Sequence, residues 1–108
     1  MVITQGDSYP LSFNLNQDGD VLSEDLVEDL EITIGGKFRK VYSKGEVSYD
    51  AEQKQWRIWP TQEETFAMLP GPHRVVARAK YPGKPWSELY SFEVGCIHVK
   101  RANRREVL

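Results

Sequence analysis

Short segments in which apolar and polar residues alternate are the feature that most restricts how this sequence can fold. Val75, Ala77 and Ala79 are apolar at every second position, and Arg78 and Lys80 are among the polar residues between and after them. A period of two is the repeat of a β-strand with one buried face. The alternation recurs, between Gly, Pro and Asp turns, in residues 9–15, 30–34, 46–50, 55–59 and 90–94. The sequence therefore predicts an all-β chain of about seven or eight antiparallel strands, arranged as a sandwich or small barrel.

The residues around Trp56 predict both a core and a contact surface. Trp56 and Ile58 share one strand face, which we expect to be buried, while Arg57 and Trp59 point to the other face. Exposed tryptophans are enriched at protein interfaces, so Trp59 is a candidate contact residue. Trp86, which follows a Pro-Gly turn, is a second candidate. The alternative for Trp59 is that its ring covers the helix that follows it.

A single short helix is predicted between Thr61 and Leu69. Thr61 and Glu64 have the spacing of a capping box, in which each side chain bonds the other residue's backbone N–H. A Pro-Gly-Pro sequence ends the helix, and Phe66 and Leu69 are spaced to form one stripe against a sheet. A further helical turn is predicted after Ser23, with that side chain as its cap.

The length of 108 residues fits one domain. We expect a β-sandwich domain over residues 1–100 and a flexible basic tail over residues 101–108. The single cysteine excludes an internal disulfide framework and indicates a reducing compartment such as the cytoplasm. No apolar run reaches the roughly 18 residues of a transmembrane helix, and the N-terminus lacks the pattern of a signal peptide. The sequence therefore predicts no membrane partner.

Charge is unevenly distributed along the chain. Residues 1–69 carry 13 acids and 6 bases, whereas residues 70–108 carry 3 acids and 8 bases. Seven of the acids lie between Asp18 and Glu31 without a base among them. This polarity favours head-to-tail self-association, or it reflects two solvated surfaces. Since the chain is acidic overall and no aromatic residues are interleaved with the terminal bases, we expect no nucleic-acid partner.

Residues that could support catalysis or hold a metal lack the necessary spacing. Residues 16–20 resemble the start of a calcium loop, but Val21 stands where that loop requires glycine. His73 and His98 are too far apart for a zinc site with one cysteine. Cys96 has His98 two positions away but no third residue to orient it, so we expect a packed thiol. The sequence thus predicts no enzyme, no metal and no cofactor.

Three segments together resemble small virion proteins of phages that infect Gram-positive bacteria. They are ITQGDSYPLSFNL, EDLEITIGG and GEVSYDAEQKQWRIWPTQEETFAMLPGPHRVVARAKYPG, followed by a closing REVL. In layout the chain is similar to the immunoglobulin-like N-terminal domain of phage baseplate upper proteins. This resemblance implies an immunoglobulin-like sandwich that is encoded by a phage or prophage. It also implies a structural or accessory role in the tail, baseplate or head-tail region, with location in the host cytoplasm during expression and in the virion afterwards.

The favoured hypothesis is a protein–protein interaction module that binds other virion proteins, and the charge polarity also allows a homo-oligomer. The expected interface residues are Trp59, Trp86, Arg101, Arg104, Arg105, Val107 and Leu108. In the tail, the arginines would guide association toward the acidic run of a neighbouring subunit or virion protein, and Val107 and Leu108 would insert into that partner. Deleting residues 101–108 should then weaken assembly without lowering the melting temperature. The alternative is a carbohydrate- or ligand-binding domain in which Trp59, Trp86 and nearby tyrosines form a stacking platform.

Overall fold

The strands of the protein are short at its start and long at its end. The structure, a computed structural model, describes residues 1–17, 20–83 and 90–102. Its strands are β1 (Val2–Thr4), β2 (Leu11–Phe13), β3 (Asn16–Gln17), β4 (Asp20–Val21), β5 (Asp29–Ile34), β6 (Phe38–Val41), β7 (Val47–Asp50), β8 (Gln55–Ile58), β9 (Gly71–Lys80) and β10 (Tyr90–Lys100). The α-helix, α1, spans Gln62–Ala67, and single 3₁₀ turns lie at Glu24–Leu26 and Tyr42–Lys44.

Two sheets form most of the molecule. The larger has five strands in the order β1-β10-β9-β5-β6, the smaller has three in the order β2-β8-β7, and β3 and β4 form a separate hairpin. The prediction of a mostly β fold with one short helix is confirmed. The prediction of purely antiparallel pairing is wrong, because β1 runs parallel to β10 and makes the larger sheet mixed. Parallel neighbours need a long connection, and here all the strands between the first and the last provide it.

The core lies between the two sheets and contains the predicted strand faces. Trp56 and Ile58 of β8 are buried, as are Val75, Ala77 and Ala79 of β9. Other side chains of the core that are 2% exposed or less include those of Ile3, Leu11, Leu15, Leu22, Leu30, Ile32, Ile97 and Val99. The alternation therefore assigned the inner face of these strands correctly.

The helix begins as predicted. The Thr61 hydroxyl accepts from the Glu64 backbone N–H at 3.1 Å, and the Glu64 carboxylate accepts from the Thr61 N–H at 2.9 Å. Both bonds of the capping box are present. The turn after Ser23 is a 3₁₀ helix, and the prediction of a Ser23 cap is wrong because its side chain makes no capping bond.

The predicted apolar stripe of α1 is also wrong. Leu69 is 70% exposed and Phe66 is only partly buried, while Thr65 and Met68 face the interior. Thr65 has a specific reason to be inside, since its hydroxyl accepts from the Gly6 N–H and donates to the Asp7 carbonyl, each at 2.9 Å. A helix of fewer than two turns is thus oriented by hydrogen bonds to the β1–β2 connection.

Gln5 joins three parts of the fold that are distant in sequence. Its backbone N–H donates to the Lys100 carbonyl at 2.9 Å, and its side-chain amide donates to the Met68 carbonyl at 2.9 Å. Its side-chain oxygen accepts from the Ala102 N–H at 3.2 Å. The buried Gln5 therefore holds the end of α1 and the chain beyond β10 against β1.

Candidate interaction surface

Trp59 is a large exposed side chain held in one orientation by its neighbours. Its ring is 62% exposed, on the side of the strand opposite Trp56. The indole N–H donates to the Ser8 hydroxyl at 3.3 Å, and that hydroxyl donates to the Pro60 carbonyl at 3.0 Å. One bond from the ring to Ser8 of the β1–β2 connection, itself bonded to Pro60, thus limits the freedom of the ring.

Arg57, two residues before Trp59, bonds side chains of both neighbouring strands on the outer face of the smaller sheet. One guanidinium nitrogen lies 2.7 Å from the Asp50 carboxylate of β7, and Nε donates to the Ser12 hydroxyl of β2 at 3.2 Å. The terminal nitrogen that faces Asp50, Nη2, also donates to the Gln53 side-chain oxygen at 3.3 Å. Arg57 of β8 thus contacts side chains of both neighbouring strands, β7 and β2. The surface beside Trp59 is therefore polar, and these contacts restrain its shape.

A groove of about 260 Å³ runs beside Trp59. Its polar lining comes from Glu46, Ser48 and Arg57, and Pro10 contributes an apolar wall. One Glu46 oxygen is already engaged, since it accepts from a backbone N–H of β6 at 3.1 Å. The groove therefore places an aromatic face next to hydrogen-bonding groups.

The acidic run predicted as a charged patch is largely engaged within the fold. Glu31 is only 4% exposed although it lies on the outer face of β5, because Arg39 and Arg78 approach it from the neighbouring strands at 2.7 and 3.3 Å. Lys80 lies 2.9 Å from Glu28, and its hydrogen bond and charge lower the pKa of that carboxyl group.

Two further acids of this run have local hydrogen-bond donors. Asp29 accepts from the hydroxyl and the N–H of Ser43 at 2.7 and 2.9 Å. The Tyr42 phenol donates to Glu24 at 3.0 Å, which raises the pKa of that phenol. These two carboxylates are therefore bonded to neutral donors within the fold.

An apolar cleft of about 460 Å³ lies between α1 and the turn that joins β5 to β6. Phe38, Met68 and Leu69 supply apolar surface, and the His73 imidazole donates from Nε2 to the Leu69 carbonyl at 2.6 Å. This cleft was not predicted, because it depends on which helix side faces the sheet. No sequence pattern in α1 indicated it, since the predicted stripe of Phe66 and Leu69 put Leu69 against the sheet.

The predicted interface residues are only partly within the described chain. Trp59 is exposed as described above, and Arg101 is exposed beyond the end of β10. The other predicted interface residues lie outside the described residues, namely Trp86, Arg104, Arg105, Val107 and Leu108. Trp59 follows β8 of the smaller sheet and Arg101 follows β10 of the larger sheet, so the two residues lie at the ends of strands from different sheets.

Within residues 1–17, 20–83 and 90–102, no three His, Cys, Asp or Glu side chains lie close enough to hold a metal ion. Among the same residues, no helix has the length and apolar character needed to cross a membrane. Cys96 is exposed, contrary to the expected packed thiol.

Comparisons with models of protein families, with curated proteins and with solved structures gave no match to this chain.

Proposed function

We propose that this protein is a structural or accessory component of a phage particle, encoded by a phage or prophage, and that it acts as a protein–protein interaction module. The two packed sheets and short helix support an immunoglobulin-like sandwich as the scaffold. The phage assignment is supported by the resemblance in the sequence. On this proposal the chain is made in the host cytoplasm and joins other virion proteins in the tail, baseplate or head-tail region.

The observation that carries the interaction role is the fixed, exposed ring of Trp59. Tryptophan is among the residues that contribute most at protein interfaces, because a large area leaves water when it enters a pocket. Its bond to Ser8, whose hydroxyl in turn donates to the Pro60 carbonyl, reduces the entropy lost on binding because it restrains the ring beforehand. We assign Trp59 as the centre of the contact.

The test compares Trp59→Ala with Leu26→Ala, since Leu26 is also exposed, at 51%. Tagged variants are expressed in a host that carries the corresponding prophage, and the chain is quantified in purified particles after induction. Loss of a central contact residue costs roughly 2 kcal/mol or more, which lowers incorporation by about 30-fold at limiting concentration. Leu26→Ala should incorporate normally. Absence of the unmodified chain from particles would refute the virion assignment, and equal incorporation of Trp59→Ala would refute the assigned contact.

The alternative, carbohydrate or ligand binding, is favoured by one observation. The groove beside Trp59 combines an exposed aromatic ring with Glu46, Ser48 and Arg57. A ring face stacks on the apolar face of a sugar while nearby polar groups bond its hydroxyls. Titration with a set of oligosaccharides, followed by tryptophan fluorescence, distinguishes the two functions. Saturable binding that Trp59→Ala abolishes would support the alternative, while no response at millimolar sugar would exclude those ligands.

The C-terminal tail is a separate part of the proposal. Because the Ala102 N–H bonds to Gln5, a deletion of residues 103–108 keeps this contact, whereas the deletion of 101–108 removes it. The shorter deletion is therefore the cleaner test of the predicted apolar insertion. Substitution of Val107 and Leu108 by serine provides a variant of unchanged length. If the 103–108 deletion and the serine variant are both incorporated into particles as well as the unmodified chain, the tail makes no contact.

A further inference from the structure

The apolar cleft between α1 and the β5–β6 turn has a wall that the fold holds in place. Phe38, Ala67, Met68 and Leu69 supply apolar surface to this cleft of about 460 Å³. Met68 is 6% exposed, and its carbonyl accepts from the buried Gln5 amide, which holds the end of the helix. Small-molecule sites in proteins have volumes of roughly 300–1,000 Å³. The cleft is therefore preformed and large enough for a small ligand.

The opposite wall of the cleft depends on a glycine. Gly35 opens the β5–β6 turn with a φ of 64°, and a Cβ at this residue would lie 2.7 Å from Nδ1 of His73. Because glycine has no Cβ, the imidazole can lie against the turn. Its Nε2 donates to the Leu69 carbonyl at 2.6 Å. His73 thus connects the turn to the segment that follows α1, and the two walls are held together.

The charges on the walls of the cleft are unequally paired. The Glu64 carboxylate lies 2.8 Å from the Lys40 ammonium and accepts from the Thr61 N–H at 2.9 Å. That ammonium also lies 5.1 Å from the centroid of the Phe38 ring. Lys37, which lines the cleft and is exposed, has no described carboxylate within ion-pair distance. An apolar cleft therefore carries one positive charge that lacks a described counter-ion.

We infer that this cleft binds a small amphipathic anion, an alkyl carboxylate of medium chain length. The alkyl chain lies between Phe38 and Leu69, and the carboxylate meets the Lys37 ammonium. An alkyl chain fits because its burial drives binding and because the polar groups of His73 and Glu64 are already bonded within the fold. A sugar or a peptide main chain fits less well, since its hydroxyls or amides would lose their bonds to water without gaining equivalent ones.

The test measures the fluorescence of anilinonaphthalene sulfonate, an apolar anion, in the presence of the full chain, and its displacement by octanoate or by uncharged octanol. We expect saturable dye binding that octanoate reverses. Lys37→Gln should bind octanoate about threefold more weakly, because an exposed ion pair contributes little, and should bind octanol equally. Lys44→Gln, which changes an exposed lysine outside the cleft, is the matched control and should bind both normally. No saturable dye binding by the unmodified chain, or equal octanoate affinity of Lys37→Gln, would overturn the inference.

A second variant locates the site. Ala67 is exposed and lines the cleft, so Ala67→Trp places a large ring in the space for the alkyl chain and should abolish octanoate binding. Octanoate binding that persists in this variant refutes the assigned site. Because the dye also binds partly unfolded chains, far-UV and near-UV circular dichroism must first match the unmodified chain. If Ala67→Trp does not fold, Leu69→Ser replaces it: weaker octanoate binding supports the site, and unchanged binding refutes it.

Deletion of residues 103–108 tests whether the chain itself occupies the cleft. The Ala102 N–H bonds to Gln5, and the Gln5 amide bonds to the Met68 carbonyl, so this deletion begins close to the cleft. Unchanged octanoate affinity supports a small ligand, whereas binding that is about tenfold tighter or more after the deletion shows that these residues are the occupant and overturns the inference. The site shares no lining residue with the groove beside Trp59, so Trp59→Ala should bind octanoate normally whatever the outcome for the phage assignment.

Discussion

Replacement of Trp56 by alanine tests the assigned strand face and the core together. The side chain has 0% exposure, and its ring contacts Tyr49 and Tyr42 at centroid distances of 4.9 and 5.4 Å. Truncation of a buried tryptophan costs about 3–5 kcal/mol through lost burial and the cavity that remains. That is a large part of the roughly 5–15 kcal/mol that stabilises a typical domain. We therefore expect Trp56→Ala to unfold at a much lower urea concentration.

The hydrogen bond of the Trp56 ring contributes to the free energy of unfolding separately from its packing. The Trp56 indole N–H donates to the Leu22 carbonyl at 2.8 Å, and this bond links β8 to the residue after β4. Trp56→Phe keeps an aromatic ring but leaves that buried carbonyl without its donor, which costs about 1–3 kcal/mol in addition to the smaller loss of volume. Comparison of the two variants separates packing from hydrogen bonding.

The assay is urea denaturation followed by far-UV circular dichroism, since removal of tryptophan alters fluorescence. Trp59→Ala is the matched control, because the same residue type lies three positions away on the exposed face. Exposed substitutions of this kind change the free energy of unfolding by about 0.5 kcal/mol or less. A loss below about 1 kcal/mol for Trp56→Ala, or an equal loss for Trp59→Ala, would show that the strand faces are reversed.

Three other substitutions test polar contacts. Glu31→Gln removes the charge that the flanking arginines share and should cost about 1–3 kcal/mol in urea denaturation; an unchanged midpoint would contradict this. Burial raises the pKa of Glu64, but the hydrogen bond and charge of Lys40 and the capping bond outweigh it and hold the pKa below its ordinary value. This depressed pKa means that the stabilisation is present above the unfolded-state pKa and is lost as pH falls through the folded-state value, so Glu64→Gln should flatten the acid limb of the stability profile relative to the unmodified chain. Gln5→Ala leaves the Met68 carbonyl without its donor and should cost about 1–3 kcal/mol; hydrogen exchange at the end of β10 that stays equally slow would contradict the role of Gln5 in holding that end.

The parts of the fold that were predictable from sequence are those fixed by neighbouring residues. The β7–β8 hairpin and the capping box of α1 depend on alternation and on a spacing of three residues. The parallel pairing of β1 with β10 depends on contacts between opposite ends of the chain, for which alternation carries no information. Residue patterns identify a strand and its inner face, and they leave the identity of its neighbours open.

The candidate site was predictable to a similar extent. Trp59 was assigned to the outer face from alternation alone, and its exposure agrees with that assignment. Glu31 was assigned to the same kind of face, yet it is buried, because arginines on both neighbouring strands cover it. The exposure of Cys96 has another cause. The bulge before Gly95 shifts the alternation by one residue, so that Ile97 points inward and Cys96 outward.

The distribution of paired charges determines which surfaces remain for a partner. On the outer face of the larger sheet, the carboxylates of Glu28 and Glu31 already have cations within 3.3 Å. A partner that binds there must displace these pairs or add to them, and exposed ion pairs contribute only about 0–1 kcal/mol each. Trp59 instead offers an exposed aromatic ring. Burial of apolar surface, rather than steering by the acidic run, should therefore supply most of the binding free energy.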